Sequence, residues 1–149
     1  MMSKQMNDLF FVCSMIEKVS RESKQKQSYV INKIGKEKIK RLYEYADVFH
    51  CENPDKISYE LIENNCIDSG DYDKISRCKY KIPTYWEIGE IYARLIISVN
   101  NKVEDIIDTL FEVYNSWIEI VMDNYNSSFY YETPEYHLAC YEEGKVLFS

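Results

Sequence analysis

Thr84-Tyr85-Trp86-Glu87-Ile88-Gly89-Glu90-Ile91-Tyr92-Ala93-Arg94-Leu95-Ile96-Ile97-Ser98-Val99 is the stretch that decides the fold class. Thr84 followed three residues later by Glu87 is the capping-box pattern, in which a hydroxyl and a carboxylate each take up a backbone N–H that the first helical turn leaves free. Tyr85, Ile88, Gly89, Tyr92, Ile96 and Val99 then fall on one apolar stripe at helical spacing. Gly89 sits on that stripe, where the missing side chain lets a neighbouring helix come close. The stretch predicts a capped, amphipathic helix with one tight contact on its buried face.

The same punctuation recurs on both sides. Downstream, Asn101 with Glu104 repeats the capping logic. Val103, Ile107, Leu110, Tyr114, Trp117, Val121 and Tyr125 then line one helix of about six turns near residues 102–125. Thr133-Pro134-Glu135 opens a last helix that stops near Gly144 and leaves Val146-Leu147-Phe148 as an apolar tail. Upstream, Asn53 caps, Pro54 suits the first turn and Asp55 favours the positive helix end, so a helix over Asp55–Asn65 buries Ile57, Leu61 and Ile62.

Gly35 ends a short helix over Tyr29–Ile34, and the pattern resumes over Lys36–Ala46. Leu9, Val12, Cys13, Ile16 and Val19 place the first helix over Asp8–Ser20. Asp68-Ser69-Gly70-Asp71 is the clearest loop, and the weak alternation of Tyr72, Ile75, Cys78, Tyr80 and Ile82 suggests a short extended segment over 71–82. The expected fold is mainly α, a small helical domain of about seven helices over residues 1–149. Residues 66–82 also leave room for two sub-lobes, 1–66 and 83–149.

With 46% hydrophobic and 29% charged residues the chain sits in the globular range, and a domain of this length buries roughly 70% of its unfolded surface. The five cysteines (Cys13, Cys51, Cys66, Cys78, Cys140) are scattered, with no C-x-x-C pair. Met1-Met2-Ser3-Lys4-Gln5 is not followed by a secretory apolar run, and Leu9–Ile16 is too short for a membrane span. A cytoplasmic protein with free thiols and no membrane partner is expected. The 14 tyrosines, set against 4 glycines and 3 prolines, partly reflect a coding bias and are not all read as functional.

Charge is sorted by position. Residues 1–50 hold 10 Lys/Arg against 6 Asp/Glu, whereas residues 101–149 hold 2 against 10. Such asymmetry points to polar faces and oriented contacts. Lys24, Lys26, Lys33, Lys36, Lys38, Lys40 and Arg41, within the basic stretch 18–41, are the candidates for contacts to nucleic-acid phosphates. At the acidic end, carboxylates coincide with aromatics, and tyrosine offers large contact area at low entropic cost. Glu112, Glu119, Tyr125, Tyr130, Tyr131, Glu132, Glu135, Tyr136 and Glu142 form the expected partner-binding surface.

Catalytic and metal signals are thin. The chain has no G-x-S-x-G, P-loop or G-x-G-x-x-G motif. His50-Cys51 and His137/Cys140 lack the tight ligand pairs of zinc sites, and sequence neighbours rarely have the geometry for proton transfer. Glu104, Asp105, Asp108 and Glu112 read as a solvated helix face. The expectation is a non-enzyme without cofactor or metal. An oligomerising module would instead use the Val103–Tyr125 stripe as a dimer seam.

Phe11-Val12-Cys13-Ser14-Met15-Ile16-Glu17, followed by Leu42-Tyr43-Glu44-Tyr45-Ala46-Asp47-Val48-Phe49-His50, resembles a family of small uncharacterised bacterial proteins. Its members read roughly F-V-x-F-x-I-E and then Y-D-x-L-H, and are encoded beside proteins with an ADP-ribosyltransferase-like fold in what looks like a toxin–antitoxin pair. Ala46 stands where the family usually has Tyr, and Phe49 where it has Leu. The resemblance implies a non-enzymatic, antitoxin-like regulator that binds and neutralises a partner protein. The alternative from the residues alone is a nucleic-acid-binding regulator using the stretch 18–41.

Overall fold

Every face of the first helix is covered. In the computed structural model, which describes residues 2–147, α1 (Lys4–Ser23) is buried at each position from Phe11 to Ser20. Ser3 starts it, its Oγ accepting the Met6 N–H at 3.1 Å. A helix enclosed on all sides is the core of its domain, and the rest of the chain is arranged around this one.

α2 (Gln27–Ile34), α3 (Lys36–Glu44), the single turn α4 (Ala46–Phe49) and α5 (Pro54–Asn64) pack against α1 on one side. α6 (Tyr85–Val99) lies along α1 in the most extensive helix–helix contact of the fold. The contact is close because of Gly89: a Cβ there would stand 2.6 Å from the Ser14 backbone nitrogen. Thr84 Oγ1 accepts the Glu87 N–H at 3.0 Å, as the capping pattern requires, while Glu87 is exposed and makes no return bond among the described residues.

α7 (Ile106–Tyr114), α8 (Ile118–Met122), a 3-10 turn (Phe129–Tyr131) and α9 (Pro134–Glu143) complete the fold. Among the described residues it is all-α, with nine helices and no strand. The buried apolar residues form one cluster running from Met6 to Cys140. At its centre Tyr92 and Tyr114 stack with ring centroids 4.3 Å apart. Each fully buried Ile or Leu beside them contributes about 1.5–3 kcal/mol of transfer free energy.

Three expectations change. The six-turn helix over 102–125 is two helices, α7 and α8, separated by a turn at Asn115–Trp117. Asn115 Nδ2 bonds the Phe111 carbonyl and Ser116 Oγ the Val113 carbonyl, so polar side chains take acceptors that end α7. The start also shifts. Asn101 Oδ1 accepts the N–H groups of Val103 and Glu104 in a loop, Asp105 becomes the cap of α7, and Val103 is 94% exposed. Residues 71–82 form no strand: 74–77 make a turn and the rest is irregular. The Val146–Leu147 part of the apolar tail is half-buried, and Phe148 lies outside the described residues.

Candidate functional site

The acidic and aromatic residues converge only in part. Thr133 Oγ1 accepts the Tyr136 N–H and Pro134 occupies the first turn of α9, which fixes where the 3-10 turn delivers its tyrosines. His137 locks that approach, its Nε2 lying 2.6 Å from the Phe129 carbonyl and so donating to it. Burial lowers the His137 pKa, which keeps the ring neutral. Tyr130 and Tyr131 meet edge-on at 5.0 Å, and Tyr131 is 67% exposed. Their segment forms a groove of about 190 Å³ with α6, where Glu90, Ile91 and Arg94 face Tyr130, Tyr131 and Glu132.

Of the other residues expected on this surface, Glu135 is exposed at the start of α9 and Glu142 near its end. The Tyr136 hydroxyl donates to the Leu147 carbonyl and pins the C-terminal segment. Glu112 is exposed on α7. A hydrogen bond shared with Glu104 raises its pKa, with partial desolvation adding to it. Glu119 and Tyr125 leave the set, because both are buried.

Those two residues belong to an ionic network that sequence reading did not find. Lys74, from the loop between α5 and α6, reaches Glu17 at 2.9 Å and Asp123 at 3.2 Å, with all three side chains at most 2% exposed. Arg21 pairs with Glu17 at 2.7 Å, and the Tyr125 hydroxyl donates to the same carboxylate at 2.7 Å. Gln27 Nε2 bridges Glu17 and Asp123, and the Tyr72 hydroxyl donates to Asp123 Oδ2. Glu119 accepts from both the backbone N–H and the hydroxyl of Ser28.

Burial pushes the Glu17 carboxyl up, but Lys74, Arg21 and the Tyr125 hydroxyl outweigh it, so its pKa falls below the ordinary value. Asp123 shares Lys74 and lacks an arginine, and burial together with the Glu17 charge raises its pKa. Burial likewise raises Glu119. Loop, α1, α2 and α8 are thereby joined through charge where apolar periodicity carried no signal.

The basic stretch is largely answered from within. Lys18 is buried and pairs with Glu22 and Asp55, and Lys24 lies 3.7 Å from Asp73. Lys36 pairs with Asp108 and Lys40 with Asp105. Lys38 donates to Asn65, and the Arg41 guanidinium lies over the Tyr45 ring. Lys26 and Lys33 are exposed. The opposed charges of the two chain ends thus partly meet each other.

The remaining candidates disperse. His50 is exposed against Phe11 and Trp86, Cys51 is exposed beside it, and His137 and Cys140 are buried in α9. Burial pushes the Cys13 thiol up to about 12, where it is inert at neutral pH. Ile107, Leu110, Tyr114 and Tyr125 are buried within the chain, so the stripe offered for a dimer seam is already covered. No helix of the described residues is long and apolar enough to cross a membrane.

No protein-family model, characterised protein or solved structure matches this chain.

Proposed function

We propose that the chain is a non-enzymatic protein-binding module that docks a basic partner surface in the groove between α6 and the Tyr130–Glu135 segment. The resemblance of its N-terminal helices implies an antitoxin-like regulator acting in the bacterial cytoplasm, where its five free thiols remain reduced.

One observation carries the reading. Of the ten acids of the C-terminal third, Asp105, Asp108 and Asp123 have lysine partners, Glu104 and Glu119 accept from Thr109 and Ser28, and Glu112 shares a hydrogen bond with Glu104. Glu132, Glu135, Glu142 and Glu143 have neither a cation within salt-bridge distance nor a hydrogen-bond partner for their side chains among the described residues. Glu132 adjoins the tyrosine pair at the groove and Glu135 stands exposed on the next turn, at the start of α9, so charge that would steer a basic partner adjoins aromatic area that would hold it. The test is co-purification with the product of the adjacent gene. The complex should form, and reversing Glu132, Glu135 and Glu142 to Lys should slow its association and weaken it. No complex, or one indifferent to the reversals, removes the proposal.

A second reading keeps the nucleic-acid-binding regulator. Lys26, Lys33, Lys38 and Arg41 have no carboxylate partner among the described residues and remain available to phosphates. It requires retention on DNA or RNA that falls steeply with salt, and a blank mobility-shift assay at low salt eliminates it.

A further inference from the structure

Beside the buried network lies a cleft of about 560 Å³, walled by the loop around Tyr72–Arg77 and by the segment from α8 to Asn126. Its charged lining is Lys26, Lys74, Arg77 and Asp123, three cations to one carboxylate, on a chain whose net charge is −7. Asp123 is already committed: Oδ1 accepts from Lys74 and Gln27, and Oδ2 from Tyr72. Lys74 in turn is held by Asp123 and Glu17.

Lys26 and Arg77 are different. Neither has a carboxylate within salt-bridge distance among the described residues; Arg77 Nε donates to the Asp73 carbonyl at 3.3 Å, and both cations are drawn over the same ring. Lys26 Nζ is 5.7 Å and the Arg77 guanidinium carbon 5.2 Å from the Tyr72 centroid.

The loop backbone that carries Arg77 is built. Asn126 Nδ2 donates to the Arg77 carbonyl at 2.9 Å, Asn126 Oδ1 accepts the Lys79 N–H at 2.7 Å, and Asp73 Oδ1 accepts the Ser76 N–H at 3.0 Å. The Tyr72 ring is anchored through its hydroxyl on Asp123. Both cations line the cleft beside the Tyr72 ring, and the carboxylate that shares the lining, Asp123, is taken up by Lys74, Gln27 and Tyr72, so an anion entering there meets uncompensated positive charge.

A guanidinium fork and an ammonium suit a phosphate group, and the apolar side of the cleft, with Ile120 at 62% exposure and Val121, suits a carbon body. The volume matches a small molecule.

We propose that this cleft binds an organic phosphate, its anionic group drawn by Lys26 and Arg77 and its body against Tyr72, Ile120 and Val121. Phosphate on a metabolite-sized ester and phosphate on a nucleic-acid strand share the charge chemistry, but the cleft's volume of about 560 Å³ favours the ester.

Titration calorimetry on the full chain tests this with phenyl phosphate, adenosine monophosphate, inorganic phosphate, adenosine and a single-stranded oligonucleotide. Both phosphate esters should bind, inorganic phosphate more weakly, and adenosine not measurably. The double variant Lys26→Ala, Arg77→Ala should lose at least about tenfold in affinity for the esters. Its melting temperature should be unchanged, because both side chains are exposed. Lys33→Ala should bind as the parent does.

Three results overturn the proposal: no ester binding at millimolar concentration, equal losses in Lys33→Ala and the double variant, or binding of the oligonucleotide alone. The acidic groove lies elsewhere, so failure here leaves the partner-binding proposal standing, and the reverse holds as well.

Discussion

Lys74 Nζ lies 2.9 Å from Glu17 Oε1, so an ammonium from an irregular loop meets a carboxylate in the most enclosed helix of the fold. The pair closes a triad with Asp123, and its geometry leaves neither carboxylate a substitute cation if the lysine goes, apart from Arg21 on Glu17. Lys74→Met should therefore destabilise the protein by about 3–5 kcal/mol, measured by urea unfolding. Adding Asp123→Asn to Lys74→Met should cost less than the two single losses summed, because Asp123 is the buried carboxylate that the lysine's loss leaves without a cation. Strict additivity would show that the two groups do not interact energetically.

Gly89 faces Ser14 across the α1–α6 contact. Gly89→Ala should cost about 1–3 kcal/mol through overpacking, seen as a lower denaturation midpoint at unchanged m-value. Ser14→Ala should not rescue it, because the Ser14 backbone nitrogen, 2.6 Å from the added Cβ, stays in place. Full rescue would place the clash on the hydroxyl alone.

The Tyr92 hydroxyl is buried without a hydrogen-bond partner among the described residues. Removing it keeps the stacked ring on Tyr114 and deletes a desolvated polar atom. Tyr92→Phe should raise stability by about 1 kcal/mol in thermal or chemical unfolding. A loss of similar size would mean that the hydroxyl is satisfied in solution.

Glu119 provides a pH signature. Burial raises its folded-state pKa above the ordinary glutamate value of 4.5, so above that pH the folded state binds its proton more tightly than the unfolded state does. As pH falls through the folded pKa towards 4.5, this group adds stability, with a slope of at most about 1.4 kcal/mol per pH unit. Glu119→Gln should lack that component, so parent and variant melting curves should converge or diverge only across this window. Glu17 acts in the opposite sense: its lowered pKa contributes stability above the unfolded value that is lost as pH falls through the folded one. Below pH 4.5 both proteins should therefore weaken together.

Local chemistry was legible where one residue carries its own reason. Asn53, Thr84 and Thr133 cap the helices they were expected to cap, Gly35 and Gly144 end theirs with positive φ, and Gly89 marks the closest helix approach. The all-α class followed from these positions. The break between α7 and α8 did not, because the apolar stripe from Ile107 to Tyr125 continues through Asn115 and Ser116 as if they were ordinary surface positions. Periodicity reports which face is apolar and says nothing of the partner. Glu119 reads from the sequence as part of the partner-binding surface, because its actual partner, Ser28, lies in the lysine-rich stretch and carries no signal of its own. Lys74 falls off the weak apolar alternation of residues 71–82, and only the folded chain shows that it belongs to the core.

The enclosure of α1 has a consequence for biosynthesis. A helix buried on every side precedes, in the order of translation, each of the helices that cover it. While α6 is still unmade, the part of the Leu9–Val19 surface that it covers is exposed, and of its two ionic partners the Glu17 carboxylate has only Arg21. Residues 74 and 123 must both be synthesised before the ionic triad closes. Cooperative folding is thereby deferred until most of the chain exists, and the intermediate most exposed to aggregation is the N-terminal half on its own.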